Sequence, residues 1–491
     1  MTLQSDYYHR SARLATLGFF LAKAFKELLE PKQLVIEHSF GDGLFCHEAH
    51  WQPIEDREIR LLQHAMEAWI GNMEPIVFTE KPKEEALAFF RANHSLSKQE
   101  VVRRWQGDTI PVLIFENHWD ICLEPVTRYK NMLTPFELRP YNHGFLLRLG
   151  EADQELLPPF QDRPRLFSIL EEQEAWSRAL GISTVRELNE LVRRGEHQEL
   201  MWVAEGLHEK KLARIADQLV KHFPDRPLIC VAGPSSSGKT TFAKRLCIQL
   251  RVNGYRTLPL SMDDYFRDRR DIPVGPDGTQ DFEALSAMDV DLLTERVDRL
   301  LAGDTVPRRK FDFQEGVGRD LDETDSAGEK EFILLEGIHG LNPALIQALG
   351  ESRVQKIYIS AITTLNLDAQ HRISTSDNRL LRRLVRDYQF RGYAPRDTIA
   401  RWDSVRQGEE RHIFPYQEEA DYLFNSSLIY ELSVLAGLAL PLLEAVAGDD
   451  IVAEKALYLR RFLQLFESID PGGVPSISLL REFIGGSGFS Y

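Results

Sequence analysis

Gly233-Pro234-Ser235-Ser236-Ser237-Gly238-Lys239-Thr240 sets two glycines, a lysine and a hydroxyl in the order G-x-x-x-x-G-K-T. That order suits the wrapping of successive backbone N–H groups around a phosphate chain. Glycine allows the tight turn, lysine reaches the β- and γ-phosphates, and the threonine hydroxyl ligates Mg²⁺. The apolar run Leu228 to Ala232 precedes the loop, and a helical run from Thr241 to Leu250 follows it. Strand, loop and helix in this sequence give the motif its context, since a helix N-terminus adds its own positive end. The expected ligand is ATP with Mg²⁺, with Thr241 joining the eight loop residues.

A metal on that loop needs a second acid. Phe332-Ile333-Leu334-Leu335-Glu336-Gly337 is an apolar strand ending in a carboxylate, and Glu336 would hold Mg²⁺ directly or through water. A second pair of acids, Asp263 and Asp264, follows the strand ending at Ser261. Carboxylates at the carboxyl ends of parallel strands face the ligand crevice. One of the pair could take the proton of an acceptor hydroxyl; the plainer alternative is that they cap the next helix. Arg379, Arg382, Arg383 and Arg386 recur at helical spacing, and Arg391 follows. Such a face meets phosphates or is salt-bridged, and spacing leaves both open.

These groups must be positioned by a framework, and the pattern from Pro227 onward supplies one. Leu228 to Ala232, Thr257 to Ser261, Phe332 to Leu335, Val354 to Ile359 and Tyr422 to Phe424 are predicted strands with helices between them. Apolar strands of this kind imply a parallel sheet covered on both faces. The expected fold class is therefore α/β. Leu166 to about Phe223 predicts a helical connector broken at Gly181 and Gly195. Residues 10–150 mix helices (Ala15 to Leu29, Ile59 to Trp69) with short strands (Gln33 to Ile36, Gly43 to Cys46, Val112 to Phe115). The last sixty residues read as mostly helical. Four domains are expected: an α+β domain over 1–152, the connector over 153–222, the phosphate-binding domain over 223–432 and a helical extension over 433–491.

Composition bounds the partners. With 491 residues, 43% hydrophobic and 27% charged, the chain is globular and multidomain. A formal net charge of −16 disfavours nucleic-acid binding without a local basic patch. Cys46, Cys122, Cys230 and Cys247 form no CxxC pair, which fits reduced thiols and a cytoplasmic location. No secretory leader is expected, and Leu14 to Ala22 is too short to span a bilayer. A homo-oligomer stays open.

Six motifs in order resemble the uridine kinase family within the uridine kinase and phosphoribulokinase group. They are Gly233 to Thr240, Leu260 to Arg267, Gln280-Asp281-Phe282-Glu283, Lys310-Phe311-Asp312-Phe313, Glu336-Gly337-Ile338 and Arg382 to Gly392. The resemblance implies Asp263 as general base, Glu283 and Arg383 on the ribose side, and Arg386 and Arg391 as lid arginines near the ATP phosphates. It implies Phe282 and Phe313 as apolar walls of the nucleoside pocket, with Phe266 and Phe311 also among the substrate-binding residues. Three base-reading positions differ: Phe311 replaces a tyrosine, Gly316 a histidine and Tyr393 an arginine. Lost hydrogen-bond partners remove the discrimination they gave.

Gln33 to Cys46, Ile59 to Trp69 and Val112 to Pro125 resemble the second additional, editing domain of threonyl-tRNA synthetase. Ser478 to Gly486 also looks like a bacterial family that fuses such a domain to a uridine-kinase-like one. That family often carries a small TGS domain in front, for which no room is expected before residue 10. The editing domain's four metal positions fall on Ala15, Phe19, Cys122 and Val126. One thiol of four cannot hold zinc, and no zinc is expected in this protein. Cys46-His47-Glu48-Ala49-His50 matches no standard zinc spacing either. The leading expectation is an ATP-dependent kinase acting on a nucleoside, uridine or cytidine by family, or on a related small alcohol. The alternative is an ATP-gated regulatory protein whose synthetase-like domain docks a partner such as RNA.

Overall fold

The computed structural model describes residues 4–71, 76–127, 132–151, 154, 156–274, 280–363 and 365–490, with side chains from residue 10 onward. The boundary expected at 152/153 lies outside the described residues. The chain forms two compact units that interleave along the sequence. One comprises Met1–His197, Thr363–Asp377 and Leu432–Ile469; the other Gln198–Ile362, Asn378–Glu431 and Asp470–Tyr491. The linear four-part division expected from sequence did not foresee this interleaving. Segments such as Thr363–Asp377 lack any compositional break that would mark a crossing.

The first unit is α+β. Its four-stranded antiparallel sheet runs Leu34–Phe40, Gly43–Glu48, Gly144–Leu149, Phe136–Tyr141 in spatial order. A second sheet pairs Val77–Pro82, Thr109–Phe115 and His118–Ile121. Helices Gln4–Leu28 and Asp56–Gly71 give Leu17, Phe20, Leu21, Leu62 and Met66 to one core with Ile36, Phe115 and Leu147. The predicted connector is three helices: Pro164–Leu180 and Val185–Arg193 belong to this unit, and all but the first residue of His197–Lys221 to the second. Gly181, at φ 67°, ends the first of them.

The second unit holds a five-stranded parallel sheet ordered Tyr422–Asn425, Val354–Ser360, Leu228–Ala232, Glu331–Glu336, Arg256–Ser261. Alternate residues feed opposite cores. Ile229, Val231, Phe332 and Leu334 enter one with Phe242 and Leu246; Leu228, Cys230, Ile333 and Leu335 enter the other with Leu293 and Val297. The long hairpin Thr305–Asp312 and Val317–Ser326 was not predicted as strands. Its outward residues are charged on both strands, which hides the alternation.

Register positions the chemistry. Glu336 lies abreast of Val231 on one side and Ser261 on the other. The phosphate loop, Glu336 and Asp263 therefore leave the sheet along one carboxyl edge, where a doubly covered parallel sheet binds ligands. No described helix is long and apolar enough to cross a membrane.

Candidate active site

The loop after Ala232 has backbone demands that its sequence meets. A side chain at Gly233 would put a Cβ 2.1 Å from the Ile359 carbonyl oxygen, so only glycine fits. Ser236 (φ 58°) and Gly238 (φ 85°) are both left-handed, which curls the intervening amides into a concave anion-binding nest. Lys239 Nζ donates to the Gly233 and Pro234 carbonyls at 2.9 and 3.2 Å. Thr240 Oγ1 donates to Glu336 Oε1 at 3.0 Å. A hydroxyl and a carboxylate converging at the end of a nest are a donor set suited to Mg²⁺, so these residues fit the expected cation. Burial pushes the Glu336 carboxyl up to about 7, against the pull of Lys239 and with a push from Glu482.

Above the loop opens a cleft of about 1150 Å³. Asp263 and Asp264 divide their labour there. Asp264 accepts from Lys310 Nζ at 2.9 Å and from the Phe311 N–H at 3.3 Å, tying the hairpin to the sheet. Asp263 makes no hydrogen bond to protein among the described residues. Its carboxylate opens onto the cleft, yet protein surrounds it, and that enclosure raises its pKa while Lys239 and Arg391 oppose the rise. Glu283 lies in the same cleft, also raised by burial and by Glu409 nearby.

The arginine face divides in two. Arg379 and Arg382 are buried and salt-bridged. Arg379 Nη2 donates to Glu409 Oε2 at 2.8 Å, and Glu409 Oε1 in turn accepts from the Ser235 N–H at 2.8 Å. Arg382 pairs with Glu431 and donates to the Ser426 carbonyl at 2.9 Å. Arg383, Arg386 and Arg391 instead line the cleft around one buried carboxylate, Asp387, at 3.2, 2.8 and 3.7 Å. One acid cannot neutralise three guanidinium groups, so the cleft keeps excess positive charge in an acidic protein. Arg383 also donates to Ser235 Oγ at 2.9 Å.

The far wall is aromatic. Phe266, Phe311 and Phe313 form a cluster with ring centroids 5.1–6.2 Å apart, and Phe282 joins them in lining the cleft. Gly316 turns the hairpin at φ 72°, and a Cβ there would meet Arg269 at 3.0 Å. Arg269 holds the turn through the Phe313 carbonyl at 2.9 Å. Tyr393 stacks under Arg401 at 4.9 Å and is not part of the lining.

The structure thus gathers Ser235, Ser236, Gly238, Lys239, Thr240, Asp263, Phe266, Phe282, Glu283, Phe311, Phe313, Glu336, Arg383, Arg386 and Arg391 into one cleft of one unit, while Gly233, Pro234 and Ser237 belong to the loop without lining the cleft. Thr241, by contrast, is turned inward and bonded to Glu482 at 2.8 Å. Arg269, Lys244, Arg481 and Glu482 also line the cleft and were missed. For Arg481 and Glu482 the available signal was the Ser478 to Gly486 motif, to which the sequence assigned no role.

The family model described as Phosphoribulokinase / Uridine kinase family matches residues 228–431. A uridine kinase of Deinococcus deserti is 30% identical over 200 residues, 40% of this chain and 87% of its own length. A uridine kinase of Ligilactobacillus salivarius is 28% identical over 197 residues, 40% of this chain and 83% of its own. The solved D-glycerate 3-kinase of Cryptococcus neoformans is similar at 15% identity over 54% of this chain and 89% of its own, with a TM-score of 0.23.

Proposed function

This chain belongs to the phosphoribulokinase and uridine kinase family, and on that premise we propose that it transfers the γ-phosphoryl group of ATP to a hydroxyl of a nucleoside or a similar small alcohol. The observation that carries this reading is the asymmetry of the two aspartates. Asp264 is spent on Lys310 and the hairpin backbone, while Asp263 faces the cleft that Lys239 also lines. In this reading Asp263 accepts the acceptor's hydroxyl proton as the oxygen attacks. Its raised pKa, caused by enclosure, makes it a better base than an exposed aspartate. Lys239 and the loop amides hold the β- and γ-phosphates. Arg386 and Arg391 meet the charge that develops on the transferred group. Thr240 and Glu336 would hold Mg²⁺, which neutralises phosphate charge when bound.

On the acceptor side, Glu283 and Arg383 are the polar anchors and the phenylalanine cluster is the flat wall. Aromatic faces stack on any planar base. With Phe311, Gly316 and Tyr393 at the base-reading positions, selectivity rests on shape and on the sugar hydroxyls. Uridine and cytidine lead by family.

For the remainder of the chain we read residues 1–152 as a degenerate editing-type domain, 153–222 as a connector, 223–432 as the kinase and 433–491 as a helical extension. Ala15, Phe19, Cys122 and Val126 line one small cavity, which supports a former metal pocket that has lost its ligands.

The test is Asp263→Asn with ATP, Mg²⁺ and a panel of nucleosides and sugars. Acceptor-dependent ADP release should fall roughly 10²–10⁴-fold, while ATP affinity stays within a few-fold. Full turnover by the variant would remove Asp263 from the role of base. No acceptor-dependent ADP release by the parent protein across the panel would remove the reaction itself.

A further inference from the structure

Away from the kinase cleft, the first unit buries a group of chemistry-bearing side chains that the phosphoryl-transfer reading leaves unused. His47 lies on the strand Gly43–Glu48, Glu37 on its neighbour Leu34–Phe40, and Glu174 on the helix Pro164–Leu180. Register pairs Val35 with His47, and an irregularity between Ile36 and Ser39 breaks the alternation there. A bulge of this kind re-aims side chains. It lets consecutive Glu37 and His38 both be buried, at 8% and 7% exposure.

The imidazole's tautomer follows from its surroundings. His47 Nδ1 lies 2.8 Å from the Glu48 carbonyl oxygen. A carbonyl can only accept, so Nδ1 carries a proton, and in its neutral form the ring presents a bare lone pair at Nε2. That nitrogen lies 3.5 Å from Glu37 Oε1 and 3.6 Å from Glu174 Oε1. These are ion-pair separations, longer than good hydrogen bonds; His38 Nε2 also lies 3.4 Å from Glu37 Oε2, and neither His47 Nε2 nor Glu37 Oε2 makes a well-formed hydrogen bond. Three electron-rich atoms thus converge on one point, all within 4.8 Å of one another. Donor atoms bound about 2.1 Å from a tetrahedral ion stand about 3.4 Å apart, close to the two distances seen here.

The ring is also locked. Trp51 stacks on His47 with centroids 3.8 Å apart and planes 12° from parallel. To do so Trp51 adopts φ 59°, a left-handed conformation that a bulky residue takes only where surrounding structure enforces it. A backbone carbonyl on one ring nitrogen is an outer support that ligating histidines characteristically have, and the stacked Trp51 fixes the ring plane.

We propose that Glu37, His47 and Glu174 bind one divalent transition-metal ion of the Zn²⁺ class. One imidazole and two carboxylates suit a borderline ion. Three protein ligands leave a fourth position for water. The site is separate from Ala15, Phe19, Cys122 and Val126, and from Thr240 and Glu336.

The test uses the full chain carrying Glu336→Gln, which weakens cation binding at the phosphate loop. After chelator treatment and dialysis, Zn²⁺ is titrated in competition with a chromophoric chelator, and Co²⁺ is followed by its visible absorption. The expected result is one equivalent of either ion bound, and a higher Tm with Zn²⁺. Adding Glu174→Gln, a near-isosteric change at the rim of the site, should weaken binding at least 100-fold. The metal-free Tm of that variant should match its parent's. His47→Gln should do the same wherever it folds. No binding at 100 μM metal, or binding unchanged by Glu174→Gln, overturns the proposal. Kinase turnover plays no part in this readout, so its failure and that of the proposed reaction remain distinguishable.

Discussion

The cavity beside Cys122 in the first unit encloses about 50 Å³, against about 1150 Å³ for the cleft above Lys239 in the second. Both are lined by charged residues, but those residues are deployed differently. In the small cavity several of the polar groups are held by bonds within the protein. His371 Nδ1 meets Asp368 Oδ2 at 2.8 Å and its Nε2 meets the Ile121 carbonyl at 3.0 Å. Lys98 pairs with Asp120, and Gln370 donates to the Leu34 carbonyl at 2.8 Å. In the large cleft, Asp263 and the arginines around Asp387 retain charge that the protein does not match. Mutually satisfied groups have little left to offer a ligand, whereas unmatched ones cost stability and gain from an incoming partner. The contrast distinguishes the two cavities more sharply than residue type does.

The sharpest way to break this contrast is within the arginine helix. Arg386→Ala should lower kcat/KM roughly 10²–10³-fold and leave Tm nearly unchanged. Arg382→Met should act the other way. It strands buried Glu431 and should cost about 3–5 kcal/mol of unfolding free energy, measured by denaturant titration. If both variants lose only activity, the division between paired and cleft-facing arginines is wrong.

A smaller effect tests the satisfied network. Burial alone would strip His371 of its proton, but Asp368 holds its pKa up to about 8. The unfolded value is about 6.5, so the stabilisation is complete below that pH and is lost as pH rises through about 8. It amounts to about 2 kcal/mol. Denaturation followed by tryptophan fluorescence should show this decline, and His371→Gln should flatten it.

The smallest effect concerns Cys122, whose thiol burial pushes up to about 12. It should react with a disulfide reagent at pH 8 only on the timescale of unfolding, unchanged by ATP. Rapid labelling would mean that the small cavity is open after all.

Much of the second unit was legible because strands buried on both faces read as continuous apolar runs. Leu228 to Ala232 was found to the residue, and Phe332 to Leu335 within one residue at each end. The phosphate loop was legible because a nest fixes its glycines locally. The partition of the arginines was not, since helical spacing places residues on a face without saying what faces them. Glu409 and Glu431, which claim Arg379 and Arg382, come from later elements 30 and 49 positions along the chain. Glu482 is farther still, 241 positions from the Thr241 hydroxyl it accepts from. His47 was visible as a residue but not as part of a cluster, because Glu37 faces it only through a strand irregularity and Glu174 arrives from a helix. Long-range pairing of this kind leaves no periodic trace.

The threading of the chain back and forth between its two units has a practical outcome. Two modules joined end to end can be parted by a single cut, and each half keeps every residue it folded with. Here no single cut parts one unit from the other. A fragment stopping at residue 197 would lack the stretches 363–377 and 432–469, and a fragment of 228–431 would lack Glu482 and the helix before the sheet. Limited proteolysis should therefore yield nicked molecules that stay associated until denatured.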